Sequence, residues 1–276
     1  MNWIVGIAAL IITGFILDRE IYFYEGVHLG PRVQAWLYDR WSGKYDQSKR
    51  ESQLHDDELL ARPLLEKVKD MSEPFLLDFA TGTGRLSYAL MSRPEFQGHI
   101  IALDLSQGML EKAAVKLAST SSRARIELLR QPSLPFPFPN AAFDVVCALE
   151  VLELFPNMDE PLAELTRVLR PGGILLTSRG TEESGRKAKV KSVQAFTSLL
   201  QRNGLENIQI TKWWKIFDRV FATKNGTPSA VDARQLSEVL HCSACGQIRW
   251  QKEKDALKCQ NCDKELSITK EGIVLN

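Results

Sequence analysis

The sequence predicts an α/β protein: a doubly wound, mostly parallel sheet of seven strands, preceded by an apolar helix and followed by a small cysteine-bearing ribbon. Three observations carry this expectation. Between residues 71 and 226 short apolar runs alternate with amphipathic stretches, the β-α repetition that places helices on both faces of a parallel sheet. The first 17 residues bear no charged side chain. Four of the five cysteines form two CxxC pairs late in the chain, a metal spacing rather than a disulfide framework.

The elements follow in order. The run WIVGIAALIITGFIL ends at Leu17 and is followed by Asp18, Arg19, Glu20 and the aromatic cluster IYFY. Seventeen uncharged residues make about 25 Å of helix, close to the thickness of a bilayer core. Neither a basic n-region nor a small-residue cleavage site marks a cleaved signal. Residues 1–24 are therefore expected to be a membrane anchor, with a buried or interfacial helix and a signal peptide as alternatives. Arg19, Arg32 and Arg40 follow the run and no basic residue precedes it, so the positive-inside rule puts the rest of the chain on the cytoplasmic side.

Residues 25–70 carry apolar side chains at helical spacing in VQAWLYDRW and DDELLARPLLEKVKD and are expected to form a helical cap. Strands are expected at FLLDF, HIIALD, IELL, FDVVCAL and GILLTSR, with helices between them. A last helix, VKSVQAFTSLLQRNG, precedes IQITKWW and DRVFAT, which are close enough to pair antiparallel at a sheet edge. Residues 71–226 thus make the core, 227–237 a linker, and 238–276 the ribbon. A net charge of +1 argues against a whole-protein footprint for nucleic acid.

The glycine-rich turn FATGTGR follows the first strand. It lacks the Gly-Lys-Ser/Thr ending of a phosphate loop. A dinucleotide fingerprint wants a third glycine or alanine where Ser87 stands. The surrounding motifs LLDFATGTGRLS, IALDLSQGMLEKA, LPFPFPNAAFDVVCALEVLE and LTRVLRPGGILL, in this order, resemble the class I S-adenosylmethionine-dependent methyltransferases, in particular the ubiquinone and menaquinone biosynthesis group. The resemblance spans about residues 40 to 226 and implies a Rossmann-like methyltransferase fold.

Carried onto this chain, the resemblance implies cofactor contacts from Asp78, Ala80, Thr81, Gly82, Gly84, Asp104, Leu105 and Met109. Gly82 and Gly84 let backbone approach the cofactor, and Asp78 holds the turn or accepts from the cofactor's amino group. Asp104, 26 residues after Asp78, accepts the ribose hydroxyls, and Met109 packs near adenine. Asp78 and Asp104 also have readings as helix caps. Ala80 stands where the family usually has glycine. The acidic residue expected near Pro132, facing the adenine amino group, is missing, and Gln131, Ser133 or a backbone carbonyl is the expected substitute.

The exit of strand four, CALEVLELFP, lacks the Asn/Asp-Pro-Pro-Tyr/Phe arrangement of amino methylases and a Pro-Cys nucleophile. Cys147 is therefore expected in the core, and base methylation is disfavoured. Glu150 and Glu153 are the candidate general bases; the plainer reading has Glu150 orienting the cofactor and Glu153 solvated. Tyr45 is a candidate to fold over the cofactor, and GRKAKVK from Gly185 to Lys191 a candidate contact for anionic lipid. Methyl transfer from a sulfonium needs mainly alignment and exclusion of water. The expected acceptor is a small molecule, lipid or quinone-like compound at the cytoplasmic membrane face. An RNA or protein methyltransferase that holds substrate with the ribbon, or a non-catalytic scaffold, is the alternative.

Cys242, Cys245, Cys259 and Cys262 read as two knuckles around tetrahedral zinc. The stretch around them also resembles small zinc-ribbon proteins that act as activating partners of methyltransferases, implying that the ribbon stabilises the catalytic domain or receives substrate.

Overall fold

The computed structural model describes residues 2–132, 134–184, 190–229 and 235–276. Helix α1 (Asn2–Asp18) leads through a turn into α2 (Pro31–Gln53) and α3 (Arg62–Val68). The α/β region follows: β1 (Phe75–Phe79), α4 (Arg85–Met91), β2 (His99–Asp104), α5 (Gln107–Leu117), β3 (Arg125–Arg130), β4 (Phe143–Ala148), α6 (Asp159–Val168), β5 (Leu169–Gly180), α7 (Val193–Arg202), β6 (Leu205–Trp214) and β7 (Phe217–Lys224). The last stretch holds β8 (Trp250–Lys252), β9 (Ala256–Cys259), β10 (Glu265–Ser267) and β11 (Ile273–Leu275).

Among the described residues the central sheet has eight strands, in the order β11-β3-β2-β1-β4-β5-β7-β6. Among the described strands of this sheet β7 alone is reversed, pairing antiparallel with both β5 and β6, as a parallel sheet edged by a hairpin requires. Every residue of β2 and β4 is buried, which explains why these strands read as continuous apolar runs rather than alternating ones. Alternation sends Leu77, Ile101 and Leu129 to one face, packed with Leu165 of α6 and Leu199 of α7. Leu76, Ile100 and Leu128 go to the other, against Leu64, Leu86 and Leu110 of α3, α4 and α5.

The eighth strand corrects the expected seven. β3 would otherwise be an edge with a row of unpaired backbone groups, and the short run IVL after Gly272 pairs with it in parallel, Ile273 opposite Leu128 and Leu275 opposite Arg130. The stretch expected as a ribbon is therefore joined to the main body. Its Leu257, Leu266 and Val274 share one core with Leu129, Phe136 and Phe138. Leu236, at the end of the expected linker, is buried there too, its N–H donating to Glu127 at 2.7 Å.

The expected membrane span also needs correction. Among the described residues no helix is long and apolar enough to cross a membrane. α1 has 17 residues, against about 20 for a span. Its apolar side chains are open, Leu10 at 74% exposure and Trp3 at 69%.

Candidate active site

A cavity of about 320 Å³ opens at the carboxyl ends of β1, β2, β3 and β4, beneath α2. Crossover connections of a parallel sheet leave a crevice there, and ligands of such sheets settle in it. Gly82, Ala80, Asp104, Leu105, Met109 and Gln131 line one side, and Tyr38 and Tyr45 of α2 form the roof. Phe79, Leu134, Phe136, Val151, Leu154 and Phe155 make much of the remaining wall apolar, with Glu150 and Glu160 as its acidic members.

The turn after β1 is held by two carboxylates. Asp78 is buried and accepts the hydroxyls of Thr81 and Ser87, both at 2.7 Å. It does not reach the cavity wall, so of its expected roles the structure displays that of brace for the turn. Burial raises its pKa, and the two hydroxyl bonds oppose that rise. Ser87, which occupies the place of a third glycine, is the partner that the sequence motif did not reveal. Asp104 accepts the N–H of Gly82 at 2.8 Å and that of Ser106 at 2.9 Å while facing the cavity. Burial pushes its carboxyl up to about 6, against the lowering effect of these backbone N–H bonds.

Gly82 and Gly84 both have positive φ, +56° and +75°, a conformation that favours glycine. Their surroundings differ. A Cβ on Gly82 would meet only Tyr45, at 3.9 Å, whereas one on Gly84 would press on Ala113 at 3.1 Å and Leu117 at 3.3 Å. Gly84 thus serves the packing of α5 on the turn, and Gly82 keeps the cavity clear. Ala80, in the position of a family glycine, also adopts a positive φ of +54°.

The roof is fixed by polar contacts that the sequence did not disclose. Asp39 of α2 accepts the Ser106 hydroxyl at 2.6 Å and the Gly108 N–H at 2.8 Å, holding the start of α5. Ser106 also caps that helix by accepting the Met109 N–H. Lys49 of α2 pairs with Glu150, which also accepts from Arg85 at 2.8 Å. Arg85 bonds Asp56 as well and lies over the Trp213 ring at 4.9 Å.

Glu150 lines the cavity but commits its two oxygens to Lys49 and Arg85. Its N–H donates to the Ser178 hydroxyl at 2.7 Å and its φ is +54°. Glu153 is buried rather than solvated; its Oε1 accepts the Gly180 N–H at 2.6 Å. It faces a second cavity of about 430 Å³, which also holds Tyr22, Trp41, Lys49 and Phe217. Tyr38, Tyr45, Glu150 and Leu154 border both cavities. Burial raises the pKa of Tyr45, with the Glu150 charge adding to it. Cys147 is fully buried in β4, and burial pushes its thiol up. Ser133 and most of the GRKAKVK segment, residues 185–189, lie outside the described residues; Gln131 is on the cavity wall.

The four late cysteines converge. All four Sγ atoms lie within 4.8 Å of one another. The Cys242–Cys262 and Cys245–Cys259 pairs are 3.6 and 3.7 Å apart. Tetrahedral zinc thiolate, with bonds of ~2.3 Å, has edges of about 3.8 Å, so the donor set fits. The two knuckles repeat one backbone pattern. The Gly246 and Asp263 N–H groups donate to the Cys242 and Cys259 carbonyls, and both donors have positive φ. The hairpin of β8 and β9 brings the knuckles together.

Comparison with known proteins agrees with this geometry. A methyltransferase-domain family model matches residues 77–177. A demethylmenaquinone methyltransferase of Lactobacillus johnsonii is 31% identical over 173 residues, covering 60% of this chain and 71% of that protein. A ubiquinone/menaquinone biosynthesis C-methyltransferase of Geotalea daltonii is 28% identical, covering 52% of this chain and 61% of its own. Three further curated demethylmenaquinone methyltransferases are covered over only 40% to 56% of their length. Among solved structures, the CurJ carbon methyltransferase has a TM-score of 0.55 at 15% identity, covering 71% of this chain and 61% of that one. A SAM-dependent methyltransferase of Aquifex aeolicus has 0.50 at 19%, covering 61% and 92%. These last two show the fold. The glycine turn, the carboxylate ending β2 and the matching relative together establish that the chain belongs to the S-adenosylmethionine-dependent methyltransferase family.

Proposed function

We propose that the protein transfers the methyl group of S-adenosylmethionine to an apolar, quinone-like small molecule or lipid. The observation that carries this reading is the split character of the cavity. Part of its wall, at Gly82 and Asp104, offers backbone and a carboxylate, and another part offers Phe79, Phe136, Phe155 and aliphatic side chains, with Glu150 and Glu160 as the acidic groups among them. Pockets that hold ring compounds are lined in this way, with few polar groups to fix orientation. The names of the relatives, which are quinone-biosynthesis methyltransferases, support the same class.

In this reading the cofactor supplies an electrophilic methyl on a sulfonium. Asp104 holds the ribose hydroxyls, Gly82 leaves room for the methionyl part, and Tyr38 and Tyr45 close the roof and keep water out. The clamp of Lys49, Arg85 and Glu150 orients that roof, which makes Glu150 a positioning residue. Glu153 remains the candidate base, reached from the second cavity. The four cysteines hold a structural zinc. The exposed apolar α1 is the contact with the membrane and leaves the catalytic part on the cytoplasmic face. Large open apolar surfaces mark such contacts.

Transfer of labelled methyl from S-adenosylmethionine into a membrane extract tests the reading. Label is expected in the organic-soluble fraction and is lost with Asp104→Ala; label confined to RNA or protein would overturn the acceptor class. Flotation with anionic vesicles tests the membrane contact, which is expected to disappear when residues 2–18 are removed.

A further inference from the structure

We propose that the outward face of α2, with Arg32, Trp36 and Arg40 at its centre, lies on the headgroups of an anionic bilayer, so that the helix roofing the cavity is also a surface that meets the membrane. The inference rests on α1 being a membrane contact and adds a second, charge-dependent one.

α2 divides into two faces by helical spacing. Pro31, Gln34, Tyr38 and Tyr45 line the cavity. Successive residues turn by about 100°, so Arg32, Val33, Trp36, Arg40 and Lys44 fall on the opposite side. All five are exposed, Trp36 at 59%. The acidic residues of this part of the helix are turned elsewhere: Asp39 holds Ser106 and Gly108, and Asp46 pairs with Lys116 at 2.9 Å. Arg32, Arg40 and Lys44 have no carboxylate partner among the described residues. The outward face is thus cationic, with one large aromatic ring in its middle.

That combination fits a lipid surface. Tryptophan settles at the headgroup level, where its ring is half apolar and half polar. Uncompensated arginines and lysines are attracted to anionic lipid. Exposed apolar side chains also lead along the chain from α1 to this face, through Tyr22 and Leu29 to Val33 and Trp36. An acidic protein partner would satisfy the arginines but would give no reason for that continuity with α1. The placement has a consequence for the site. Val27, Pro31 and Gln34, at the start of the roof, border the cavity, and a helix is about 10 Å thick. A bilayer on the outer face of α2 therefore brings the cavity within that distance of lipid, and an apolar acceptor reaches it past the first turn of α2.

Flotation of the full chain with vesicles of phosphatidylcholine, with and without phosphatidylglycerol, tests the proposal. The unmodified protein is expected to prefer the mixed vesicles and to lose that preference in high salt. Arg32→Gln/Arg40→Gln is expected to weaken binding to the mixed vesicles by about tenfold or more and to leave binding to phosphatidylcholine alone unchanged. Lys254→Gln/Lys270→Gln, the same change of charge at exposed positions of the cysteine-bearing stretch, is expected to bind as the unmodified protein does. With brominated lipid, Trp36→Phe is expected to reduce the quenching of tryptophan fluorescence. The proposal is overturned if the arginine variant keeps its affinity or if the lysine variant falls equally. It is also overturned if Trp36→Phe leaves quenching unchanged, as a second copy or a protein partner on this face would have it. Equal binding of the unmodified protein to both kinds of vesicle, through α1 alone, overturns this proposal and keeps the membrane reading; binding to neither overturns that reading itself.

Discussion

Asp104 accepts the N–H of Gly82 at 2.8 Å, so the carboxylate that faces the cavity from β2 also pins the turn after β1. One group serves both architecture and binding, and its carboxyl stands at about 6 because it is buried. A ligand hydroxyl donates well to the ionised form and poorly to the protonated one. Affinity for S-adenosylhomocysteine is therefore expected to be flat above pH ~6.5 and to fall by roughly tenfold per unit below about 6. Without cofactor the sign reverses. Between the ordinary value of ~3.9 and about 6 the folded chain holds a proton that the unfolded chain has released, so this group's contribution to stability declines as pH rises through that window. Calorimetric titration from pH 5 to 8 checks the first expectation. Asp104→Asn should bind weakly with no such pH dependence.

The clamp on the roof predicts an energetic asymmetry. Arg85 holds both Asp56 and Glu150, and the side chains of all three are no more than 15% exposed. Removing one partner of a buried pair leaves uncompensated charge, a loss of about 3 kcal/mol or more. Arg85→Met should therefore destabilise strongly at pH 7. Burial raises the pKa of Asp56, and Arg85 opposes that rise. In the variant the folded form should take up a proton on Asp56 at higher pH than the unfolded one does, so part of the loss should return as pH falls. Urea unfolding at pH 7 and 5.5 measures both effects.

The sheet was legible in the sequence because β1, β2, β4 and β5 are short apolar runs between amphipathic helices, and their motifs sit at fixed places in the fold. Asp104, Gly82 and Met109 line the cavity for the same reason. What escaped is non-local. Nothing near Asp39, Lys49 or Asp56 signals that each meets a group on a distant segment, because an ion pair leaves no periodicity. β11 escaped because three apolar residues after a glycine look like the end of a ribbon; only the unpaired edge of β3 gives them a partner. The span expected at residues 1–24 found no support, since among the described residues no helix is long and apolar enough to cross a membrane.

The shared core makes a prediction about the four cysteines. Leu257 and Leu266 flank the knuckles in sequence yet pack with Leu129, Phe136 and Phe138. A metal that holds the knuckles therefore holds part of the main core. Cys242→Ser, or removal of zinc by a chelator, is expected to lower the melting temperature of the whole protein in one transition. An independent ribbon would instead melt separately and leave the main transition in place. Calorimetry with parallel measurement of zinc content distinguishes the two.

The two glycines of the turn should separate stability from binding. At Gly84 a methyl group would press on Ala113 at 3.1 Å, at a φ of +75°. Both the backbone conformation, at about 1–2 kcal/mol for an L-residue, and the crowding of α5 oppose it. At Gly82 the conformation is similar, φ +56°, but the nearest neighbour is the Tyr45 ring at 3.9 Å. A methyl there intrudes on the cavity instead of on the core. Gly84→Ala is thus expected to lose more stability than Gly82→Ala, by roughly 1 kcal/mol or more given the packing strain. Gly82→Ala is expected to lose more cofactor affinity once the stability difference is accounted for. Urea unfolding and titration with S-adenosylhomocysteine on both variants give the two orders. An equal loss of affinity in both would mean that Gly82 acts through the fold alone, like Gly84, and not by keeping the cavity open.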